Sequence, residues 1–185
     1  MAGLKFTELP LKLAYTVDLE KRGDERGFFA RYWCQNEFSK LGLDANIVQI
    51  NNSMSRYKGT IRGLHFQRPP KAETKIVRCI RGSIWDVIVD IRSESPTYGD
   101  WYGFELNEDN RTMMYIPKGF AHGFQTMVDN VELLYLHSEF YSKEDEGGLL
   151  YNDKDVAIDW PMPVSEISEK DKLHPTLNEL EPIKL

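Results

Sequence analysis

Short runs of β-branched and aromatic residues recur along this chain, each closed by Gly, Pro, Asn or Asp. That rhythm limits the fold more than any other feature. Candidate strands fall at 14–18, 28–33, 47–53, 60–66, 75–81, 83–91, 101–106, 113–116, 123–126 and 131–141. Strands at such spacing, with few helical periodicities between them, predict an all-β sandwich or barrel. One short helix is expected at 36–41, where Phe38 and Leu41 fall three apart and Gly42 offers a stop. Arg81-Gly82-Ser83, between two apolar runs, reads as a tight hairpin. From Tyr151 onward the periodicity fades, and the prolines of Ile158-Asp-Trp-Pro-Met-Pro163 resist regular structure. The tail is expected to be ordered loop with short helical turns packed on the barrel.

A chain of 185 residues without repeats or linkers fits one domain, 1–185. Its net charge of -6 argues against a general nucleic-acid binder, while leaving room for a small anionic ligand held by a few local cations. No apolar run approaches the ~20 residues that span a bilayer. The first ten residues already carry Lys5 and Glu8 and lack a leader's unbroken apolar stretch. The two cysteines, Cys34 and Cys79, have no zinc or redox spacing, which fits reduced thiols in a cytoplasmic protein.

Two strings place polar groups among strands that otherwise look like core. One is Arg62-Gly-Leu-His-Phe-Gln67, followed by Lys75; the other is Ile116-Pro-Lys-Gly-Phe-Ala-His-Gly-Phe124. The second contains Pro-x-Gly-x-x-His, a turn-then-strand signature of cupins. Metal-binding cupins usually supply a His-x-His pair with a nearby Glu. Here the first string has only His65, followed by Phe66 and Gln67, so no metal is expected. Proton chemistry next to a ketone fits the residues better. It needs a base on one face, an acid on the other and a cation at the enolate oxygen. Histidine, tyrosine and lysine can fill these parts. Taken singly, each has a bland reading: His65 as a satisfied core group, Lys75 as an edge-strand charge, Tyr135 as core. Arg62 and His65 also have opposite parity on one strand. Both reach a cavity only if Gly63 permits a bulge or bend.

The chain resembles the dTDP-4-dehydrorhamnose 3,5-epimerases. The matching strings are Gly-Asp-Glu-Arg-Gly-Phe-Phe at 23–29, Arg-Gly-Leu-His-Phe-Gln at 62–67, Asp-Val-Ile-Val-Asp-Ile-Arg at 86–92 and Ser-Pro-Thr-Tyr-Gly at 95–99. They continue with the run 116–124, Asn152-Asp153, Ile158-Asp-Trp-Pro161 and Ser-Glu-Lys-Asp at 168–171. The resemblance implies a cupin, or double-stranded β-helix jelly roll, with short peripheral helices. It also implies a homodimer with exchanged N-terminal strands and no metal or organic cofactor. It makes His65 the base, Asp171 its carboxylate partner, Lys75 the enolate cation and Tyr135 the acid. Arg62 and His122 would contact phosphate and sugar. Arg26, Phe28, Gln49, Asn51, Tyr141, Glu146 and Lys170 would complete the substrate pocket, some reaching a neighbouring subunit, and Arg31 is a further candidate beside them. Asp171, among Glu169, Lys170 and Lys172, would otherwise pass for a solvated turn.

The chain departs from the family pattern where relatives often carry a carboxylate and it has Arg31, and where Gln49-Ile50-Asn51 replaces Gln-Asp-Asn. Phe140 stands for a second tyrosine, and His137 for a small or hydroxylic residue. Exchanging an acceptor for a donor at Arg31 would suit cytosine better than thymine, so a CDP-linked sugar is an alternative substrate, with one centre inverted instead of two. A non-catalytic nucleotide-binding cupin is the alternative of another class.

Overall fold

The computed structural model describes residues 3–185, so Met1 and Ala2 of the N-terminal segment weighed as a leader lie outside it. Thirteen strands run in chain order: β1 (Leu4–Glu8), β2 (Tyr15–Leu19), β3 (Arg22–Asp24), β4 (Gly27–Phe29), β5 (Gln49–Ser55), β6 (Ile61–Gln67), β7 (Lys75–Arg81), β8 (Ser83–Asp90), β9 (Trp101–Asn107), β10 (Met113–Ile116), β11 (Phe120–Thr126), β12 (Val131–His137) and β13 (Glu146–Gly148). Helix α1 (Gln35–Lys40) and the short α2 (Glu169–Lys172) lie outside the sheets. One main sheet has the order β1-β2-β10-β7-β12-β5 and the second has β13-β6-β11-β8-β9, while β3 and β4 pair apart from both. Every described pairing between strands is antiparallel.

From β5 onward the chain passes to the opposite sheet at almost every step, the β8–β9 connection being the exception. This is the double-stranded β-helix expected above. It also corrects one expectation, because the turn at 81–83 does not close a hairpin. Gly82 takes φ +79, and the turn hands the chain from β7 in one sheet to β8 in the other. The apolar flanks that suggested cross-strand partners instead face each other across the core.

Apolar side chains are buried in three layers. Val77, Cys79, Ile84, Ile88, Phe124 and Leu133 fill the space between the sheets at one end. Phe38 of α1 packs with Val17, Ile76 and Met113 on the outer face of the first sheet. Leu149, Val156, Leu180 and Ile183 from the tail cover the second sheet at Val87, Val89 and Ile91. The tail is therefore ordered loop with a short helix, packed as its composition suggests. Cys34 and Cys79 are free thiols. Among the described residues, no helix is long and apolar enough to cross a membrane.

Candidate active site

The end of the barrel not filled by core residues holds a cavity of about 280 Å³ between the two sheets. One wall comes from β5, β7 and β12 with Asn51, Ser53, Lys75, Tyr135 and His137. The other comes from β6, β11 and β13 with Arg62, His65, Gln67, His122 and Glu146.

Gly63 makes the second wall. It takes φ +118, and the register between β6 and β11 shifts between His122 and Phe124. This is the bulge that the parity of Arg62 and His65 requires, and both side chains line the cavity. A Cβ at Gly63 would lie 2.7 Å from the Gly123 Cα and 2.7 Å from the His122 carbonyl oxygen, so the two strands touch backbone to backbone. In the turn before β11, Gly119 takes φ +80, where a Cβ would strike the Arg92 side chain at 2.4 Å. The Pro-x-Gly-x-x-His string thus delivers His122 to the interior.

The tail supplies the partner of His65. Residues 166–171 run beside the start of β6, pinned by the Ile61 N–H to the Glu166 carbonyl at 2.8 Å. Ser168 caps α2 by accepting from the Asp171 N–H. Asp171 Oδ1 then lies 2.8 Å from His65 Nε2, while its Oδ2 accepts from the Gly63 N–H at 3.1 Å. Burial pushes the Asp171 carboxyl up, but the bonds from His65, Gly63 and Ser168 outweigh it and hold the group at about 2. An ionised Asp171 accepts only, so His65 carries its proton on Nε2 and keeps its lone pair on Nδ1. That is the tautomer of a base.

Across the cavity, burial pushes the Tyr135 phenol well above its usual value, against a hydrogen bond with Ser53 Oγ at 3.2 Å. Tyr135 therefore holds its proton. Lys75 Nζ pairs with Glu73 Oε1 at 3.1 Å and donates to the His65 carbonyl at 3.4 Å. Glu73 also receives His137 Nδ1 at 2.7 Å. Burial raises the Glu73 carboxyl, yet His137 and Lys75 together bring it below the ordinary range. His122 Nε2 bonds Asp86 Oδ1 at 2.7 Å, and complete burial raises the Asp86 pKa despite that bond.

Of the expected site residues, His65, Lys75, Tyr135, Asn51, Arg62, His122, Tyr141 and Glu146 share the cavity, with Asp171 behind His65. Lys170 stands outside it, paired to Glu146 Oε2, which also receives the Tyr141 hydroxyl. Gln49 Oε1 accepts from the Tyr141 N–H and so anchors the loop after β12. Arg26 and Phe28 lie apart, on the β3–β4 hairpin, where Arg26 pairs with Asp24. Arg31 pairs with Glu37 of α1. Sequence reasoning missed Glu73 and His174. Glu73 shares parity with Lys75. His174 lies three residues after Asp171, with Nε2 at 3.4 Å from Asp171 Oδ1 and its ring edge-on to His65. The short spacing to each known site residue was the available signal.

A family profile described as dTDP-4-dehydrorhamnose 3,5-epimerase matches residues 8–179. The enzyme of that name from Salmonella typhimurium is 46% identical over 159 residues, which is 85% of this chain and 86% of that one. A crystal structure of dTDP-4-dehydrorhamnose 3,5-epimerase from Bacillus anthracis, with TDP and PPi bound, superposes with a TM-score of 0.89 at 42% identity, covering 94% of this chain and 99% of that one. That of dTDP-6-deoxy-D-glucose-3,5-epimerase from Legionella pneumophila, in complex with dTDP-4-keto-L-rhamnose, gives a TM-score of 0.92 at 34% identity and covers 99% of both chains. The sheet order, the cavity and these likenesses agree: the chain belongs to the dTDP-4-dehydrorhamnose 3,5-epimerase family and is an epimerase.

Proposed function

We propose that the chain inverts C3 and C5 of a dTDP-linked 4-keto-6-deoxyhexose of the dTDP-4-keto-6-deoxyglucose type. The observation that carries this reading is the division of the cavity: His65 on one sheet, backed by Asp171 from the tail, faces a protonated Tyr135 and Lys75 on the other. The C4 ketone acidifies the hydrogens on both neighbouring carbons. His65 Nδ1 takes one of them, and Asp171 stabilises the imidazolium that results. Lys75 holds the enolate oxygen at C4. Tyr135 returns a proton from the opposite face, and its raised pKa keeps that proton in place until the enolate forms. Arg62 and His122 serve as phosphate and sugar contacts, with Asn51, Gln49, Tyr141, Glu146 and Lys170 as further substrate contacts.

The thymidine nucleotide is favoured over cytidine on a specific ground. The cytidine reading rests on Arg31 as a donor to the base, and its guanidinium is engaged by Glu37. The chain works as a homodimer. Phe28 is 47% exposed and Phe29 75%, on a hairpin that also carries Arg26 away from its own cavity. Such a hairpin fits delivery of these residues to a partner's site.

Deuterium incorporation from D2O tests the reaction. With dTDP-4-keto-6-deoxyglucose, label is expected at both C3 and C5 with inversion at each. Label at one carbon alone would make the enzyme a single-centre epimerase, and preference for the CDP-linked sugar would overturn the nucleotide assignment. A monomeric mass with full activity would overturn the dimer.

A further inference from the structure

We infer that His65, Asp171 and His174 form a binding site for a divalent transition-metal ion of the zinc type, and that its occupancy shuts the epimerase off. The metal site stands on geometry; the inhibition also rests on His65 being the base.

Each of the three side chains offers one ligand atom, and these atoms all lie within 4.8 Å of one another. A tetrahedral ion with bonds of about 2.0–2.1 Å holds its ligand atoms about 3.3 Å apart. His174 Nε2 and Asp171 Oδ1 are already at 3.4 Å, and the His65–Asp171 bond at 2.8 Å needs to open by only a few tenths of an ångström. His174 points the independent way to a ligand. Its side chain is only 10% exposed, and its Nε2 has no hydrogen-bond partner among the described residues. Its place is built: a Cβ at Gly148 would lie 2.3 Å from the ring, and Leu150 N–H holds the Pro175 carbonyl just beyond it. Asp171 is braced from behind by the Gly63 N–H on Oδ2, as carboxylate ligands usually are. A cleft of about 470 Å³ reaches two of the three ligands, lined by Arg62, His65, Glu146, Lys170 and Asp171.

Two imidazoles and one carboxylate suit zinc, cobalt or nickel, whereas magnesium and calcium prefer all-oxygen sets. Three protein ligands leave the further position to water. The effect on catalysis follows from the tautomer. An ion on His65 Nε2 uses the lone pair there, so the ring's one proton must sit on Nδ1. The nitrogen that takes the substrate proton is then itself protonated. Metal binding and turnover exclude each other without any change in the fold.

The test uses chelator-treated epimerase with Zn²⁺ or Co²⁺ alone, followed by calorimetry, by the visible spectrum of Co²⁺ and by turnover. One ion per chain is expected, with a Co²⁺ spectrum of low-coordinate nitrogen–oxygen type. Turnover should fall in step with occupancy, and EDTA should restore it. His174→Phe keeps a ring on Gly148 and should weaken Zn²⁺ binding by about 10- to 100-fold or more, as should Asp171→Asn. Absence of binding to the wild-type chain at millimolar Zn²⁺, or affinity unchanged in both variants, would overturn the site. The wild-type Co²⁺ spectrum decides the matter even if a variant does not fold. Stoichiometric binding lost in both variants but without inhibition would leave the site standing and overturn His65 as the base.

Discussion

At the scale of single residues, the chemistry turns on which nitrogen of His65 carries the proton, and Asp171 decides that. Its carboxylate receives His65 on one oxygen and the Gly63 N–H on the other. In Asp171→Asn the amide oxygen would stay with Gly63, and the amide N–H₂ would face His65 Nε2. That nitrogen would then have to accept, which puts the ring proton on Nδ1. The fold should survive while turnover falls by about 10²- to 10⁴-fold, read as product formation and as deuterium exchange together. A variant with near-normal exchange would show that Asp171 only fills space. Tyr135→Phe should part the two readouts. The enolate still forms and His65 can return deuterium to the original face, so exchange outlasts inversion. His65→Ala should abolish both, because no enolate forms. If the histidine variant exchanges while the tyrosine variant does not, the roles are reversed.

At the scale of elements, the bulge in β6 is what lets one strand carry Arg62 and His65 to the same cavity. Gly63→Ala combines an unfavourable φ of +118 with a Cβ 2.7 Å from two backbone atoms, neither of which can swing away. A loss of about 2–5 kcal/mol is expected, seen as a fall of about 5–15 °C in Tm, with activity lost in the fraction that stays folded. An unchanged Tm would mean that the strands can part. This bulge was legible in the sequence, because a parity conflict beside a glycine has few other solutions. Strands β7 and β10 were legible over their full lengths, 75–81 and 113–116, since β-branched runs bounded by turn residues mark them out. Strands β3 and β13 were not: Arg-Gly-Asp and Glu-Gly-Gly have no apolar alternation, and only their neighbours make them strands. Strand β1 alternates, in Leu-Lys-Phe-Thr-Glu, but it is a short edge strand outside the runs expected from the sequence. The expected run 131–141 exceeds the strand, because β12 ends at His137 and at Ser138 the chain leaves the ladder, its Oγ accepting from the Thr74 N–H.

At the scale of the whole molecule, alternation tells which way a side chain points but not which strand lies opposite. That is why Asp171, 106 residues from His65, was legible only through family resemblance. The pairing that brings the tail over β6 also ties stability to pH. Asp171 is held at about 2 against an ordinary value of 3.8, and Glu73, Asp90 and Asp153 also lie below their ordinary values. In each, burial pushes the carboxyl up and hydrogen bonds or ion pairs outweigh it. A carboxyl depressed by folding stabilises the native state fully above its unfolded pKa, and loses that contribution as pH falls through the folded one. Asp86 has the opposite sign, since burial raises it, and its protonation in acid relieves a cost. More carboxyls are lowered than raised, Glu146 among them, and His174, lowered by burial, adds a loss below its unfolded value, so stability should decline as pH falls, most steeply between about pH 4 and 2. The Asp171 share is of order 2 kcal/mol. Urea denaturation at stepped pH measures it: the wild-type midpoint should drop steeply below pH 4. The Asp171→Asn chain, less stable at pH 7, should drop less and converge with wild type near pH 2. A constant offset between the two chains across that range would mean that the His65–Asp171 pair contributes shape but no charge to the fold.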